Sequence, residues 1–357
     1  MQFYILRRLA ASLFLVALVV STVLFLGQTV QFLDRVPDVG LDFVIAVLPL
    51  FLPVTLALTL PFSFLVAIVL TYGRLADDNE ITAMRMAGLH PWVAAAPGVF
   101  AGAALSFFCL DLQGNLAPAA IAGQDSLKGD IYVRFLEILE RGEKNSFTNR
   151  DFKISWSGME NGELRDLHIT RGSSASAEWQ EIHAARGVLR RDPGGGVLVF
   201  SLRDFVMVAA EAGRETTVRG ASWTYAIPAA ELLAIQGGTA KGRGLVHGEL
   251  VFRIFRLPPG SERWRELMTE VFGRIAIALS PLGFALCGIP LALLVGKGSR
   301  AAAAVLSFGV AVIFVILWQG MNSLSVAGKV PPALGLLSAD AFLAVSGAVL
   351  FAVLSRR

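Results

Sequence analysis

Five stretches of this chain run for about twenty residues or more without an Asp, Glu, Lys or Arg, and a sixth is interrupted only by Asp340. They cover residues 9–33, 43–72, 92–110, 275–295, 301–321 and 333–354. A charge at the centre of a membrane helix costs roughly 2.5–3.5 kcal/mol to insert, whereas about 20 apolar residues suffice to cross the hydrocarbon layer, so each run reads as a membrane span. With 55% hydrophobic and 17% charged residues and a mean hydropathy of +0.62, the 357-residue chain is too apolar for a soluble protein of its size. The first run follows Arg7 and Arg8 and lacks both the short core and the small-residue cleavage site of a signal peptide, so it is expected to be retained. The second run, about 30 residues with Pro49, Pro53 and Pro61, is longer than a crossing needs, which predicts kinks or a first part lying in the interface. The fourth carries Pro281 and Pro290.

Between the third and fourth runs the sequence changes character. Residues 112–265 carry charges every few positions, and their apolar residues recur with a period of two: Phe152, Ile154 and Trp156, then Leu167 and Ile169. Turn signals separate the alternating pieces at 160–163 (Glu-Asn-Gly-Glu) and 192–196 (Asp-Pro-Gly-Gly-Gly), with strand-like segments at 188–189, 197–202, 205–208 and 222–227. The expected fold is therefore an α-helical polytopic membrane protein of six transmembrane helices with an inserted antiparallel all-β domain. The domains are 1–111, 112–265 and 266–357. Alternation alone does not separate a sandwich, a jelly roll and a barrel. Six spans put both termini on one side, together with Arg7, Arg8, Arg74, Arg85, Lys297, Arg300, Arg356 and Arg357, while the opposite short loops carry Arg35 and Lys329. The positive-inside bias makes the first face cytosolic and places the β domain on the other.

A polar island, residues 73–91, joins the second and third spans and is expected to hold a short cytosolic helix near 77–87. Asp77 is placed to cap its N-terminus, Glu80 to close a capping box and Gly88 to supply the left-handed residue after its last turn, with Pro91 stopping any continuation. Ile81, Met84 and Leu89 give it an apolar side, with Ala76 and Ala87 nearby, while Glu80 and Arg85 face more polar surroundings. A helix this short is not stable alone, so it needs something to pack against: the ends of its own membrane helices or a cytosolic partner.

The search for chemistry is largely negative. Gly296-Lys297-Gly298-Ser299 lacks the glycine spacing of a P-loop, no Gly-x-Ser-x-Gly or Ser-x-x-Lys nucleophile motif occurs, and His90, His168, His183 and His247 are scattered without metal-ligand spacing. No metal site and no catalytic residue is expected. Cys109 and Cys287 lie in apolar runs and read as buried hydrophobes, and a net charge of +3 without a basic run gives no reason to expect nucleic-acid binding. Asp340 is the one carboxylate well inside a span, which disfavours an ion-coupled carrier. What remains is a membrane machine without its own energy source. Two other readings are a membrane-anchored scaffold or sensor with a β binding domain, and a lipid-modifying membrane enzyme; the first does not require six proline-containing spans, and the second lacks a nucleophile or a carboxylate/histidine set.

Arg74-Leu75 followed by Asp78-x-Glu80-Ile81, Met84-Arg85 and Gly88 resembles the coupling-helix segment of the LptF/LptG permease family. So do the Tyr4-Ile5-Leu6-Arg7-Arg8 start, the proline-rich second span, the β insertion after three spans and Gly288-Ile289-Pro290-Leu291 in the fourth. The resemblance covers the whole chain, and Glu80-Ile81-Thr82 with the long second span resembles LptF more than LptG. It implies a permease subunit of the ABC transporter that extracts lipopolysaccharide from the inner membrane of a Gram-negative bacterium, with a periplasmic jelly-roll-like β domain. The implied partners are a paralogous LptG-like permease, an LptB-like cytosolic ATPase dimer that hydrolyses ATP with Mg, a single-span LptC-like protein and a periplasmic LptA-like bridge; no cofactor is bound by this chain.

Carried onto this sequence, the resemblance makes Arg74, Asp77, Asp78, Glu80, Ile81, Met84, Arg85 and Gly88 the ATPase-coupling residues. Arg274, near the outer end of the fourth span, and Arg35, at the outer end of the first, are expected to hold the phosphorylated head group; for Arg274 the rival role is a simple ion pair with Glu270. Phe152, Ile154, Val199 and Phe200 are expected to line a groove for acyl chains, against the plainer role of packed core.

Overall fold

The computed structural model describes residues 2–35, 41–124, 146–148, 152–160, 163–171, 179–191, 197–211, 214–228, 242–295 and 300–356. They form two compact units, one of residues 1–27, 48–123 and 240–357, the other of residues 28–47 and 124–239. The helices are α1 (Gln2–Arg35), α2 (Leu41–Asp77), α3 (Glu80–Met86), α4 (Pro91–Asp111), α5 (His247–Arg256), α6 (Glu262–Val295), α7 (Arg300–Val326) and α8 (Pro332–Arg356). Six of these helices are long and apolar enough to cross a membrane, as the uncharged runs predict. In α2 and α6 61% of the most apolar stretch is buried within the protein, against 22% in α1 and 11% in α7, so α2 and α6 are the inner pair. Their buried side chains, among them Phe64, Ile68, Tyr72, Phe284 and Ile289, share one core with Ile5 and Leu9 of α1, Phe314 of α7 and Leu343 of α8.

Pro61 and Pro281 do not end their helices, and side chains take over the bonds they remove. Pro61 has no N–H to give the carbonyl four residues back, and Gln113 Nε2 donates to that carbonyl, Ala57 O, at 2.8 Å. Pro281 likewise frees Ile277 O, which accepts from Ser280 Oγ at 2.8 Å. Gln113 reaches Ala57 from a π-helical turn, Leu112–Leu116, that continues α4 past Asp111, so the third span runs on to Gln124 instead of ending at Leu110. Asp111 is accommodated on the helix surface by Asn115 Nδ2, which donates to its Oδ1 at 2.7 Å. The domain boundary expected after residue 111 thus falls inside a continuous helix. At the other boundary α6 starts at Glu262, where Ser261 caps it by accepting from Trp264 N at 3.2 Å. Before it lies α5, which the period-two reading missed; its buried Leu250 and Ile254, spaced i,i+4, pack with Leu267 and Val271 of α6.

The second unit is built on the expected antiparallel sheet: β1 (Ser146–Thr148), β2 (Phe152–Ser155), β3 (Gly158–Glu160), β4 (Glu163–Arg171), β5 (Trp179–Arg191), β6 (Val197–Glu211) and β7 (Arg214–Pro228). The order β1-β2-β4-β5-β6-β7, with β3 also on β4, is nearly sequential and has no Greek-key crossover among the described residues. Residues 161, 162 and 192–196, which carry the expected turns, lie outside those described.

A crease crosses the sheet. Pairing skips Asp166 and Ala185 between β4 and β5, Ala185 and Asp204 between β5 and β6, and Asp204 and Ala221 between β6 and β7, although the register is the same on both sides. Asp166 and Asp204 have φ of 50° and 51° there, and each left-handed residue shifts the in–out alternation. Leu164 and Leu167 are both buried, as are Leu202 and Phe205, so apolar residues from both sides of the crease share one interior. Small residues permit the close packing at the bend: a Cβ on Gly187 would lie 2.7 Å from Leu167 Cδ2, and one on Gly220 would lie 2.6 Å from the Phe205 ring. The strand expected at 205–208 is therefore the continuation of 197–202 in one long β6.

Candidate functional site

The segment between α2 and α4 is written by local chemistry at its end and by long-range contacts at its start. At the end, Gly88 takes φ 79°, its N–H donates to Arg85 O and Leu89 N–H to Met84 O, both at 3.0 Å, which is a Schellman stop as the glycine predicts. Pro91 opens the next helix instead of merely blocking the last, with His90 Nδ1 accepting from Trp92 N at 3.3 Å. At the start, Asp77 is not a cap: it is the last residue of α2, and α3 begins at Glu80 after Asn79, whose φ is 57° and whose side chain makes no capping bond. Glu80 is the first residue of α3, two positions too early to close a capping box.

Glu80 is held by α1 instead. Tyr4 Oη and Arg8 Nη1 donate to its Oε1 at 3.1 and 3.2 Å, Arg8 also lies 3.9 Å from Asp78 Oδ2, and the Arg8 guanidinium sits over the Tyr4 ring at 4.5 Å. On the far side Arg85 Nη2 donates to Leu354 O at 2.9 Å, satisfying one of the carbonyls orphaned at the end of α8. Ile81 is buried in the common core and Met84 packs against it. Seven residues of helix are thereby pinned to α1, α2 and α8 from within.

The outer side of the segment is left open. Arg74, Asp78, Thr82, Ala83, Arg85 and Gly88 are exposed, Asp77 is half-buried, and Met86 and Leu89 are 86% and 40% exposed. A rigid, short helix with an apolar Met at its tip is a surface that a partner groove can grip. Sequence spacing singled out the segment between α2 and α4 but missed the contacts by which Tyr4, Arg8 and Leu354 position it; the basic residue one turn after an aromatic in α1 was the available signal. Below the segment Tyr72 locks α2 to α4, its hydroxyl accepting from Gly98 N at 3.1 Å and donating to Ala94 O at 3.0 Å.

Arg274 does not present a free guanidinium. It is 6% exposed, its Nη1 donates to Leu245 O at 2.7 Å, its Nη2 to Gly242 O and Arg243 O at 2.8 and 2.9 Å, and its Nε to Glu270 Oε1 at 3.1 Å. Four of the five N–H donors of an arginine are thus spent within the protein, which corrects the expected head-group contact to a clamp on the turn before α5. The Glu270 pair is real but is the smaller part of it. Arg35 ends α1, and its side chain lies outside the described residues.

Of the four residues expected to line a groove, Ile154 and Phe200 are each 1% exposed in the interior of the β unit, packed among Leu167, Ile169 and Leu202. Val199, next to Phe200 along β6, necessarily faces the opposite side and is half-buried. The side chain of Phe152 lies outside the described residues. Among the described residues this interior is filled by side chains.

A family profile described as the lipopolysaccharide export system permease LptF/LptG matches residues 3–353. Comparison with curated protein sequences gives no match.

Proposed function

The chain belongs to the LptF/LptG family of lipopolysaccharide export permeases, a transporter family and not an enzyme family, and we propose that it is the LptF-like one of two permeases driven by a separate ATPase. In this reading an LptB-like ATPase dimer docks on the α3 segment and turns ATP hydrolysis into movement of the helices that hold it. A paralogous LptG-like permease and an LptC-like span complete the membrane part, and the β unit passes lipopolysaccharide to an LptA-like bridge. The N-terminal end of α1, the α3 segment and the C-terminal end of α8 share one end of the helical unit, and Arg7, Arg8, Arg74 and Arg85 gather there, so this end is assigned to the cytosol and the β unit to the periplasm.

The observation that carries the proposal is the division of labour within the segment of α3 and the turn that follows it. Glu80, Ile81 and Arg85 bind it to the membrane helices, while Met86, Leu89 and Thr82 have no part in the core and face outward. A load applied to the outer face is passed to α1, α2 and α8 without bending a loop. The rows of exposed apolar residues on α1 (Phe14, Leu18) and α7 (Phe308, Val312, Ile316) further fit helices bounded by lipid or by partner spans.

The test is Met86→Glu in the assembled transporter, with lipopolysaccharide release and ATPase recovery both measured. The variant is expected to insert and to pair with the second permease while losing the ATPase subunit and release. Wild-type release by Met86→Glu would sink the docking assignment.

A further inference from the structure

Two of the four histidines, fifteen residues apart in sequence, meet on the β unit. His168 of β4 and His183 of β5 are direct partners in the antiparallel register, and their Nε2 atoms are in contact. Glu181 lies two residues before His183, on the same face of β5 because side chains alternate along a strand. Its Oε1 is 2.9 Å from His168 Nε2 and 3.5 Å from His183 Nε2. The flanking Leu167, Ile169, Ile182 and Ala184 are buried in the interior, which puts the trio on the opposite, outer face.

We propose that His168, His183 and Glu181 form a binding site for one divalent transition metal of the zinc class, clipping β4 to β5 with an open fourth position. The donor set decides the metal: two imidazoles and one carboxylate suit Zn²⁺ and its borderline neighbours, whereas Mg²⁺ and Ca²⁺ want oxygen ligands throughout. All three ligand atoms lie within 4.8 Å of one another, and a modest turn of the two rings away from each other would set them about 3.4 Å apart, the separation that tetrahedral Zn²⁺ at roughly 2.0–2.1 Å from each ligand requires. Access is open as well, the side chains of His168, Glu181 and His183 being 28%, 34% and 59% exposed.

Without a metal the arrangement has a poor reason to exist. Two ring nitrogens that approach each other can share at most one proton, and each further N–H or positive charge sets them against one another. Glu181 answers only part of this, and exposed Lys153 on neighbouring β2 adds positive charge instead. A cation bound to both rings and to the carboxylate satisfies all three groups at once. Three protein ligands leave a fourth site for water or for a ligand from another molecule.

The untagged full-length protein in detergent, stripped with chelator and dialysed against zinc sulfate, tests this. One Zn²⁺ per chain is expected, and Co²⁺ in its place should show the visible absorption of a tetrahedral site. His168→Ala and His183→Ala should each lower affinity roughly 100-fold or more, because losing even an outer-shell partner typically costs about 10- to 100-fold. Glu181→Gln should weaken binding less, and Lys153→Ala should strengthen it. The substitutions sit on an exposed face, and unchanged circular dichroism checks that the sheet is intact. A wild-type protein that binds no stoichiometric zinc overturns the site, as does wild-type zinc affinity in both histidine variants, which would place the metal on His90, His247 or elsewhere.

Discussion

The membrane unit and the β unit both contain residues that interrupt their regular backbone, and they absorb the interruption in different ways. In the membrane unit the interruption is a missing bond: Pro61 and Pro281 strip the carbonyls of Ala57 and Ile277 of their helical donors, and Gln113 and Ser280 supply replacements. No water is available in hydrocarbon to do this, so repair must come from another side chain. In the β unit the interruption is a dihedral: Asp166 and Asp204 sit at positive φ on exposed positions of the crease, where solvent reaches the backbone and the cost is conformational. The first kind of break calls in a side chain and, at Pro61, ties distant segments together. The second only changes which way the chain faces.

Arg274 is the extreme of the first kind, and the largest effect is expected there. Arg274→Gln removes the donor from the carbonyls of Arg243 and Leu245, one of two donors from that of Gly242, and the partner of Glu270, and should cost about 3–5 kcal/mol of stability, read as denaturant or thermal unfolding in detergent. Adding Glu270→Gln should recover little, because the carbonyls of Arg243 and Leu245 still lack the donor that Arg274 supplied. Full recovery in the double variant would reduce Arg274 to an ordinary ion pair and break the comparison.

A thermodynamic cycle sharpens it. Gln113→Leu should cost about 1–3 kcal/mol by orphaning Ala57 O, yet in a Pro61→Ala background, where the helix restores its own donor, the same change should be close to neutral. Strictly additive effects of the two substitutions would show that Gln113 does not repair the proline. The smallest effect belongs to the β unit: Asp204→Val should cost about 1–2 kcal/mol for a β-branched residue at positive φ, while Asp204→Gly should stay within about 0.5 kcal/mol. Equal behaviour of the two variants would mean that the crease does not depend on that dihedral.

Much of the candidate site was legible in the sequence where the deciding physics is local. Gly88 ends α3 because the left-handed conformation is a property of one residue, and the polar island stood out because charges are excluded from the runs around it. Asp77 misled because a cap needs a helix to start there, and contacts along α2 carry that helix on to Asp77 itself. The capping box expected of Glu80 does not form: Tyr4 and Arg8, more than seventy residues away, engage it instead.

The sequence by itself determined the six spans, the β insertion and the family, since hydrophobic runs, alternation and a chain-long motif pattern are additive along the chain and survive without knowledge of neighbours. Only the tertiary structure decided that the alternation changes phase at Asp166 and Asp204, that Arg274 clamps a turn and that His168 faces His183. Each of these depends on which groups distant segments bring within hydrogen-bonding or packing distance. Those interactions act over a few ångströms, and sequence separation carries no record of them.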